Sequence, residues 1–156
     1  MMILWRISNY ADLKGVGGLR AGGRWHFPGQ PVVYLAEHPA LALLEVLVHH
    51  EVSRIEDLPK HYQLLTVEID DSIVVADIPD LPDDWKQSPD WSKNAGTEWL
   101  SVGSSLLLKV PSVLVPYASN YLFNPVHPDA AKARIVEAKH VEHDPRILSL
   151  LSEPRA

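Results

Sequence analysis

A carboxylate within an otherwise apolar helix is the feature of this sequence that most strongly suggests chemistry. Glu45 lies in the middle of segment 39–51, which is apolar until its last turn. A helix that is apolar on all sides is buried, and an ionised carboxylate is costly to bury unless it is paired or faces a polar cavity. Glu45 therefore either forms a structural ion pair with an arginine or lines a cleft where a ligand supplies the positive charge. His49, one turn later, either orients this carboxylate or caps the helix end, and we favour capping.

A glycine-rich segment ends in an arginine that could bind an anion. Segment 14–23 holds five glycines and directly precedes Arg24. Glycines let a backbone approach a ligand and expose its amides, and a guanidinium beside such amides suits a phosphate or pyrophosphate. Their spacing matches neither the dinucleotide-binding nor the P-loop motif. Arg24 could instead neutralise Glu45, and both the anion-binding and the ion-pair interpretations place these two side chains together. Arg6, on the first predicted strand, is a second candidate cation for the same site.

Hydroxyl and amide side chains form a second polar cluster at Ser119 and Asn120. These residue types commonly form turns, but beside a carboxylate and two arginines they would suit a ribose or a phosphate. The nucleophile-elbow motif is absent around Ser119, so we do not interpret it as an acyl-transfer nucleophile. His140 and His143 are spaced so that a strand would point them to opposite faces, and no metal site is predicted.

Composition narrows the function further. The 156 residues are 46% apolar and 22% charged, which predicts a folded domain rather than a disordered chain. A net charge of −6 without a basic run argues against direct nucleic-acid binding. The absence of cysteine excludes disulfides, thiolate zinc sites and cysteine nucleophiles. We see no signal-peptide pattern and no apolar run long enough to cross a membrane, so we expect a cytoplasmic protein.

The elements that must position these residues are short and irregularly spaced. Strands are predicted at 4–7, 31–36, 62–69, 72–78, 105–110, 112–115 and 135–141, and helices at 39–51, near 92–102 and near 129–133. Segment 79–92, rich in proline, aspartate and tryptophan, is predicted to be a surface excursion. No alternation of strand and helix indicates a parallel sheet. The sequence therefore predicts one α+β domain over residues 1–156, with a mixed or mainly antiparallel sheet and short helices.

Several short motifs occur in order from about residue 4 to 148. They are Trp5-Arg6-Ile7, Gly22-Gly23-Arg24-Trp25, Pro31-Val32-Val33-Tyr34, Leu43-Leu44-Glu45-Val46-Leu47-Val48-His49, Ser119-Asn120-Tyr121-Leu122-Phe123-Asn124-Pro125 and Asp144-Pro145-Arg146-Ile147. Together they resemble the RES-domain toxins of bacterial toxin–antitoxin pairs. One departure is His26, where many members carry Asn.

The resemblance implies a fold related to the ADP-ribosyltransferase toxins, with NAD+ as substrate and no further cofactor or metal. Members cleave the nicotinamide–ribose bond by hydrolysis or phosphorolysis, which depletes cellular NAD+. Glu45 would then stabilise the oxocarbenium-like ribose as positive charge develops on it. Tyr34 would stack on the nicotinamide or its ribose and hold the leaving group.

The remaining site residues implied by the resemblance bind the rest of the dinucleotide. Arg24 would grip the pyrophosphate with Arg6 as a second cation, and Ser119 and Asn120 would bond the nicotinamide ribose or a phosphate. The implied partner is an Xre-type antitoxin that covers the active site, in a hetero-oligomer with the toxin.

Two alternatives stay open at this point. The first is an ADP-ribosyltransferase that modifies a protein such as a phosphoribosyl pyrophosphate synthetase, because transfer and hydrolysis need the same cleft. The second is a non-catalytic binding module that presents the apolar helix and tryptophans to a protein partner. The second leaves Glu45, Arg24 and Arg6 unexplained, and we rank it below the enzymes.

Overall fold

A single mixed sheet organises the part of the chain that the computed structural model describes, residues 1–49 and 60–151. Within these residues the strands are β1 (Met2–Ile7), β2 (Val33–Ala36), β3 (His61–Ile69), β4 (Val75–Asp77), β5 (Leu107–Pro111), β6 (Ser119–Phe123) and β7 (Ala133–Glu142). Their order is β4-β5-β6-β2-β1-β3-β7, with β4 and β5 parallel and the other neighbours antiparallel. The predicted α+β class with a mixed sheet is confirmed.

The helices are short and lie between the strands. They are α1 (Val16–Arg20), α2 (Pro39–His49), α3 (Pro89–Val102) and α4 (Pro145–Leu150), with 3-10 turns at Trp85–Gln87 and Ala130–Lys132. Proline at the first position of α2, α3 and α4 fits the helix start, where its missing N–H needs no partner. Among the helices of the described residues, none is long and apolar enough to cross a bilayer.

Both faces of the sheet carry core side chains. Val33 and Leu35 belong to a cluster on one face, which also includes Leu4 and Phe123. Because successive side chains of a strand point to opposite faces, Tyr34 lies on the other face, against the tryptophan-rich cluster. The helix α2 packs onto that second face, where its buried side chains form a third cluster with β2.

The sheet is narrowly joined at its centre. Within the described residues, the register of β1 and β2 consists of one pair, Trp5 opposite Ala36. By contrast, β2 pairs with β6 at four positions and β1 pairs with β3 at six. The two halves of the sheet, β4-β5-β6-β2 and β1-β3-β7, therefore meet at one point and can diverge on either side of it.

One strand prediction is wrong at the β5–β6 connection, and one strand there was not predicted. Segment 112–115 forms bends instead of a strand, because the Ser112 hydroxyl accepts the amide N–H groups of Leu114 and Val115 and so closes a turn. Ser119 and Asn120, for which we predicted no strand, are the first two residues of β6. This strand lies between β5 and β2 in the sheet. Pairing with two neighbours supplies the hydrogen bonds that the turn-forming residues would otherwise make locally.

The helix predictions need smaller corrections. Part of the glycine-rich segment is helical, as α1, and α4 follows β7 without having been predicted. The helix predicted from 39 to 51 is observed up to His49, and its predicted end lies outside the described residues. It is not buried on all sides, since Leu44 is 39% and Val48 53% exposed. Only one of its faces packs on the sheet, and hydropathy alone could not show which apolar face is covered.

The helix α3 holds the segment that follows the glycines. The Ser92 hydroxyl donates to the carbonyl of Arg24 (2.7 Å), and the amide of Phe27 donates to the Thr97 hydroxyl (2.9 Å). Between these contacts lies Gly96, where an added Cβ would stand 1.7 Å from the carbonyl oxygen of Trp25. The backbones touch here because no side chain separates them.

We expect Gly96→Ala to lower the free energy of unfolding by about 3 kcal/mol or more, at the upper end of the usual cost of overpacking. Gly17→Ala is the matched control, because a Cβ at this helical position meets nothing within 4 Å. Its stability should be unchanged or up to about 1 kcal/mol higher. Urea denaturation of both variants measures the difference, and equal midpoints would contradict the close packing of α3 on Trp25.

Candidate active site

A cavity of about 720 Å³ opens where the two halves of the sheet diverge. This volume is typical of small-molecule sites. Its walls come from β1, the α1 region, β2, α2 and the β5–β6 connection. The lining residues are Trp5, Arg6, Ile7, Gly17, Gly18, Ala21, Gly22, Gly23, Arg24, Trp25, His26, Val32, Tyr34, Leu35, Ala36, Ala42, Glu45, Val46, Val48, His49, Pro111, Val113, Leu114 and Asn120.

The Glu45 carboxylate is oriented by two neutral donors. Its Oε1 atom accepts from the Ser112 hydroxyl (3.0 Å) and from Asn120 Nδ2 (2.9 Å). The Ser112 oxygen itself accepts the amides of Leu114 and Val115, so its proton is directed to the carboxylate. The side chain of Glu45 is 20% exposed. One carboxylate oxygen is therefore held by the protein, while the side chain stays open to the cavity.

The second carboxylate oxygen meets a histidine rather than an arginine. His49 Nε2 lies 3.2 Å from Glu45 Oε2, and the histidine side chain is 69% exposed. His49 lies in the last turn of α2, where we predicted a cap, and it also contacts the carboxylate, as the alternative interpretation had it. Within residues 1–49 and 60–151, no Lys or Arg forms an ion pair with Glu45. The alternative of a structural Glu45–arginine pair therefore has no support in the described part of the chain, where Oε2 is contacted by the His49 ring.

Arg24 lines the cavity and is held by segment 79–92 rather than by Glu45. Its Nη2 donates to the carbonyls of Trp85 (2.8 Å) and Lys86 (3.0 Å), and its guanidinium carbon lies 5.4 Å from the centroid of the Trp85 ring. Its buried Nε has no hydrogen-bond partner in the described structure. Arg24 thus anchors segment 79–92 to the rest of the domain. Because carbonyl groups are neutral, they leave the positive charge of Arg24 uncompensated.

Arg6 supplies a second, partly buried cation on β1. Its Nη1 donates to the carbonyl of Asp12 (3.3 Å), and it lines the cavity beside Trp5 and Ile7. Burial lowers the pKa of Arg6, partly opposed by the charge of Asp12. An arginine stays protonated at neutral pH even so. The cavity is therefore bordered by one oriented carboxylate and two guanidinium groups.

Tyr34 presents its ring to the cavity while its hydroxyl is used internally. The hydroxyl accepts from the amide of Trp25 (3.1 Å) and lies 2.7 Å from His26 Nδ1. Burial raises the pKa of Tyr34 well above its ordinary range, so the phenol keeps its proton at neutral pH. A Cβ at Gly23 would stand 2.6 Å from the Tyr34 oxygen, which explains a glycine at that position.

The two residues of the second polar cluster separate. Asn120 lines the cavity and contacts Glu45, whereas Ser119 is not among the lining residues and its amide donates to Glu37 Oε1 (2.9 Å). Neighbouring residues of a strand point to opposite faces, so the two side chains cannot share the cavity. Sequence reasoning missed Ser112 as the hydroxyl at Glu45. Its signal was a serine directly after a strand-ending proline, which is typical of a turn.

Metal binding has no structural basis in the described residues. No group of three or more His, Asp or Glu side chains there is placed to hold an ion. His140 and His143 differ in burial, the first exposed and the second buried on β7 and the segment after it. The polar side chains that line the cavity include the Glu45 carboxylate, two arginines, the Asn120 amide and the imidazoles of His26 and His49.

Comparison with known proteins gives consistent matches over almost the whole chain. The sequence profile described as the RES domain matches residues 3–146. A protein named Toxin Res from Pseudomonas putida is 51% identical over 134 residues, covering 86% of this chain and 92% of its own. The Prs ADP-ribosylating toxin of a Sphingobium species is 36% identical, covering 92% of this chain and 95% of its own.

One solved structure shares the fold. The M. tuberculosis MbcT–MbcA toxin–antitoxin complex contains a chain that superposes with a TM-score of 0.69, covering 96% of this chain and 88% of that one. At 20% sequence identity, this match supports the same arrangement of strands and helices and nothing finer.

The contacts of Arg24 predict a structural cost when it is removed. Arg24→Ala should lower the free energy of unfolding by about 2 kcal/mol, because two charge-assisted hydrogen bonds and the stacking on Trp85 are lost. Arg20→Ala, at an exposed helical position, should stay within about 0.5 kcal/mol of the wild type. Urea denaturation tests this, and equal stabilities of the two variants would mean that Arg24 does not anchor segment 79–92.

Proposed function

Because this chain belongs to the RES-domain toxin family, we propose that it is the toxin of a toxin–antitoxin pair and cleaves the nicotinamide–ribose bond of NAD+. The observation that carries the proposal is Glu45: a carboxylate oriented by Ser112 and Asn120, without a Lys or Arg partner in the described residues, at the edge of a cavity. Such a group suits a substrate on which positive charge develops.

The chemistry that Glu45 would support is the departure of nicotinamide. The C1′–N bond of the nicotinamide ribose breaks, and its electron pair stays on the ring nitrogen, so nicotinamide leaves as a neutral molecule. The ribose becomes oxocarbenium-like, and the carboxylate stabilises that charge. The oxygen of water or of inorganic phosphate then bonds to C1′, and the acceptor's proton is lost to Glu45 or to solvent. The products are nicotinamide and ADP-ribose or its 1″-phosphate.

The other cavity residues would bind different parts of the NAD+ molecule. Arg6 and Arg24 would attract the pyrophosphate; the charge of Arg24 acts from a side chain already fixed by the carbonyls of Trp85 and Lys86. The ring of Tyr34 would stack on the nicotinamide or its ribose, since its hydroxyl is committed elsewhere. Asn120 would bond a ribose hydroxyl next to Glu45. Ser119 stays a predicted substrate contact that its position outside the cavity lining does not favour.

ADP-ribosyl transfer to a protein is the second candidate. A relative named for ADP-ribosylation of Prs, 36% identical, favours it. Purified protein incubated with NAD+ labelled in the adenylate and with a bacterial lysate distinguishes the two reactions. Label on a protein band, for instance a phosphoribosyl pyrophosphate synthetase, indicates transfer, whereas free labelled ADP-ribose indicates hydrolysis, and its phosphate indicates phosphorolysis.

The partner we expect is an antitoxin of the Xre type that covers the cavity. The structural match with a toxin–antitoxin complex supports this expectation. The exposed Leu44 and Val48 on α2 would be shielded in such a complex, since Val48 also lines the cavity. The proposed NAD+ substrate and the expected antitoxin partner support our expectation of a cytoplasmic location.

Glu45→Gln should reduce nicotinamide release from NAD+ by about 10²–10³-fold, because the charge that stabilises the oxocarbenium is removed. The fold should be preserved, since an amide oxygen can still accept from Ser112 and Asn120. Glu98→Gln, on an exposed position of α3, is the control and should retain full activity. The assay follows nicotinamide release with and without phosphate, and a fully active Glu45→Gln variant would assign Glu45 a structural role.

Ser112→Ala and Ser119→Ala separate the two serines. We expect about tenfold lower turnover for Ser112→Ala, because one donor that orients the carboxylate is lost, and little change for Ser119→Ala. Both rates are measured at saturating NAD+. The reverse ranking would place the substrate-binding hydroxyl at Ser119.

A further inference from the structure

His26 is buried inside the cavity wall and connects three elements of it. The residue is 2% exposed. Its Nδ1 lies 3.2 Å from the amide nitrogen of Gly23 and 2.7 Å from the Tyr34 hydroxyl, and its Nε2 lies 3.3 Å from the carbonyl oxygen of Gly18. One imidazole therefore joins α1, the turn that carries Arg24, and β2.

These partners determine the tautomer. A backbone amide is a donor, and the Gly23 N–H is shared between the His26 carbonyl (3.1 Å) and Nδ1, which places Nδ1 as an acceptor without a proton. A carbonyl is an acceptor, so Nε2 facing Gly18 must carry the proton. The Tyr34 hydroxyl, which accepts from Trp25, then donates its own proton to Nδ1. All four groups are satisfied with a neutral ring.

A second proton on His26 would break this network. It would place an N–H on Nδ1 opposite the Gly23 amide, and two donors cannot bond to each other. The Tyr34 hydroxyl would have to turn its proton away from His26, while its oxygen still accepts from Trp25. The bond between Nδ1 and the Tyr34 hydroxyl would then have to reverse its direction, and the Gly23 amide would keep only its bond to the His26 carbonyl (3.1 Å), so the turn would be held less firmly to Tyr34.

The surroundings of His26 also disfavour the charged ring. Burial lowers the pKa of His26, and the positive charge of Lys93 on α3 lowers it further, against the carbonyls of Gly18 and Ala21, which raise it. Tyr34 on β2 keeps its proton, because burial raises its pKa. With the folded-state pKa below that of the unfolded chain, the network contributes stability above about pH 6.5 and loses it as the pH falls.

We propose that neutral His26 is a positioning residue of the proposed NAD+ site: as an acceptor at Nδ1 it fixes the Tyr34 ring and the Arg24 turn in their ligand-binding positions. The proposal rests on the proposed function for its ligand and on the hydrogen bonds above for its mechanism. Neither side chain it positions is replaced when His26 is changed. Its loss therefore affects NAD+ binding more than the bond cleavage at Glu45.

Two substitutions separate the acceptor function of Nδ1 from the donor function of Nε2. His26→Asn keeps a side-chain oxygen near the position of Nδ1 and does not titrate. His26→Gln keeps an amide N–H near the position of Nε2 but has no acceptor where Gly23 and Tyr34 need one. His140→Asn, at an exposed position of β7, is the control. All variants retain His49 and Glu45, so any contribution of these two residues is common to them.

The experiment measures KM and kcat for NAD+ between pH 5.5 and 8. For the wild type and His140→Asn we expect KM to rise only at the acidic end of this range, and by less than tenfold at pH 5.5, because burial lowers the pKa of His26 below its ordinary value. His26→Asn should stay within about threefold of the neutral wild-type KM and lack this rise, and His26→Gln should show the raised KM at every pH. In each case kcat should change less than KM.

Nitrogen NMR of the ligand-free protein tests the network independently of activity. We expect the His26 ring to be neutral at pH 7 with its proton on Nε2. A proton on Nδ1, the same pH dependence of KM in wild type and His26→Asn, or equal KM values for His26→Asn and His26→Gln would overturn the proposal. If no variant turns over NAD+ at any pH, the proposed function fails, while the NMR result still decides whether His26 is the neutral acceptor.

Discussion

A negative charge held by neutral donors is the interaction on which the site depends. Two donors meet at one oxygen of Glu45, and the hydroxyl of Ser112 is itself fixed by the backbone amides that follow it. Hydrogen bonds of this kind orient a carboxylate without cancelling its charge, whereas a bound guanidinium would do both. The cavity therefore keeps an electrostatic preference for a cation at a defined position, which the oxocarbenium-like ribose of the proposed reaction would satisfy.

The weak junction at the centre of the sheet makes room for the ligand. A sheet paired along its whole width would bring β1 and β2 together and close the space between them. Here the single register pair of Trp5 with Ala36 leaves both strands free to line a cavity, while the extensive pairing on each side keeps the two walls rigid. The helix α2 spans this junction and brings Glu45 to its edge.

The cationic side of the cavity is built on a turn with little secondary structure of its own. The turn is held on the cavity side by the contact between His26 and Tyr34. On its other side it packs against α3, through Ser92, Gly96 and Thr97. Arg24 adds a third attachment through the carbonyls of segment 79–92. The same guanidinium thus stabilises the fold and carries the charge offered to an anion, so that substitutions at this position affect both properties.

The sequence by itself identified the side chains that are candidates for chemistry. A carboxylate among apolar residues and an arginine after a run of glycines are both unusual, and each suggests a structural or functional role. The sequence also determined the α+β class and the positions of β3 and α2, whose hydropathy patterns are strong and local. Only the tertiary structure decided that Ser112 rather than Ser119 meets Glu45, that Arg24 binds carbonyls instead of Glu45, and that one face of α2 is exposed. These outcomes depend on which strands become neighbours and on which face of a helix packs against the sheet. Contacts between residues far apart in the chain decide both, and local sequence patterns do not encode such contacts.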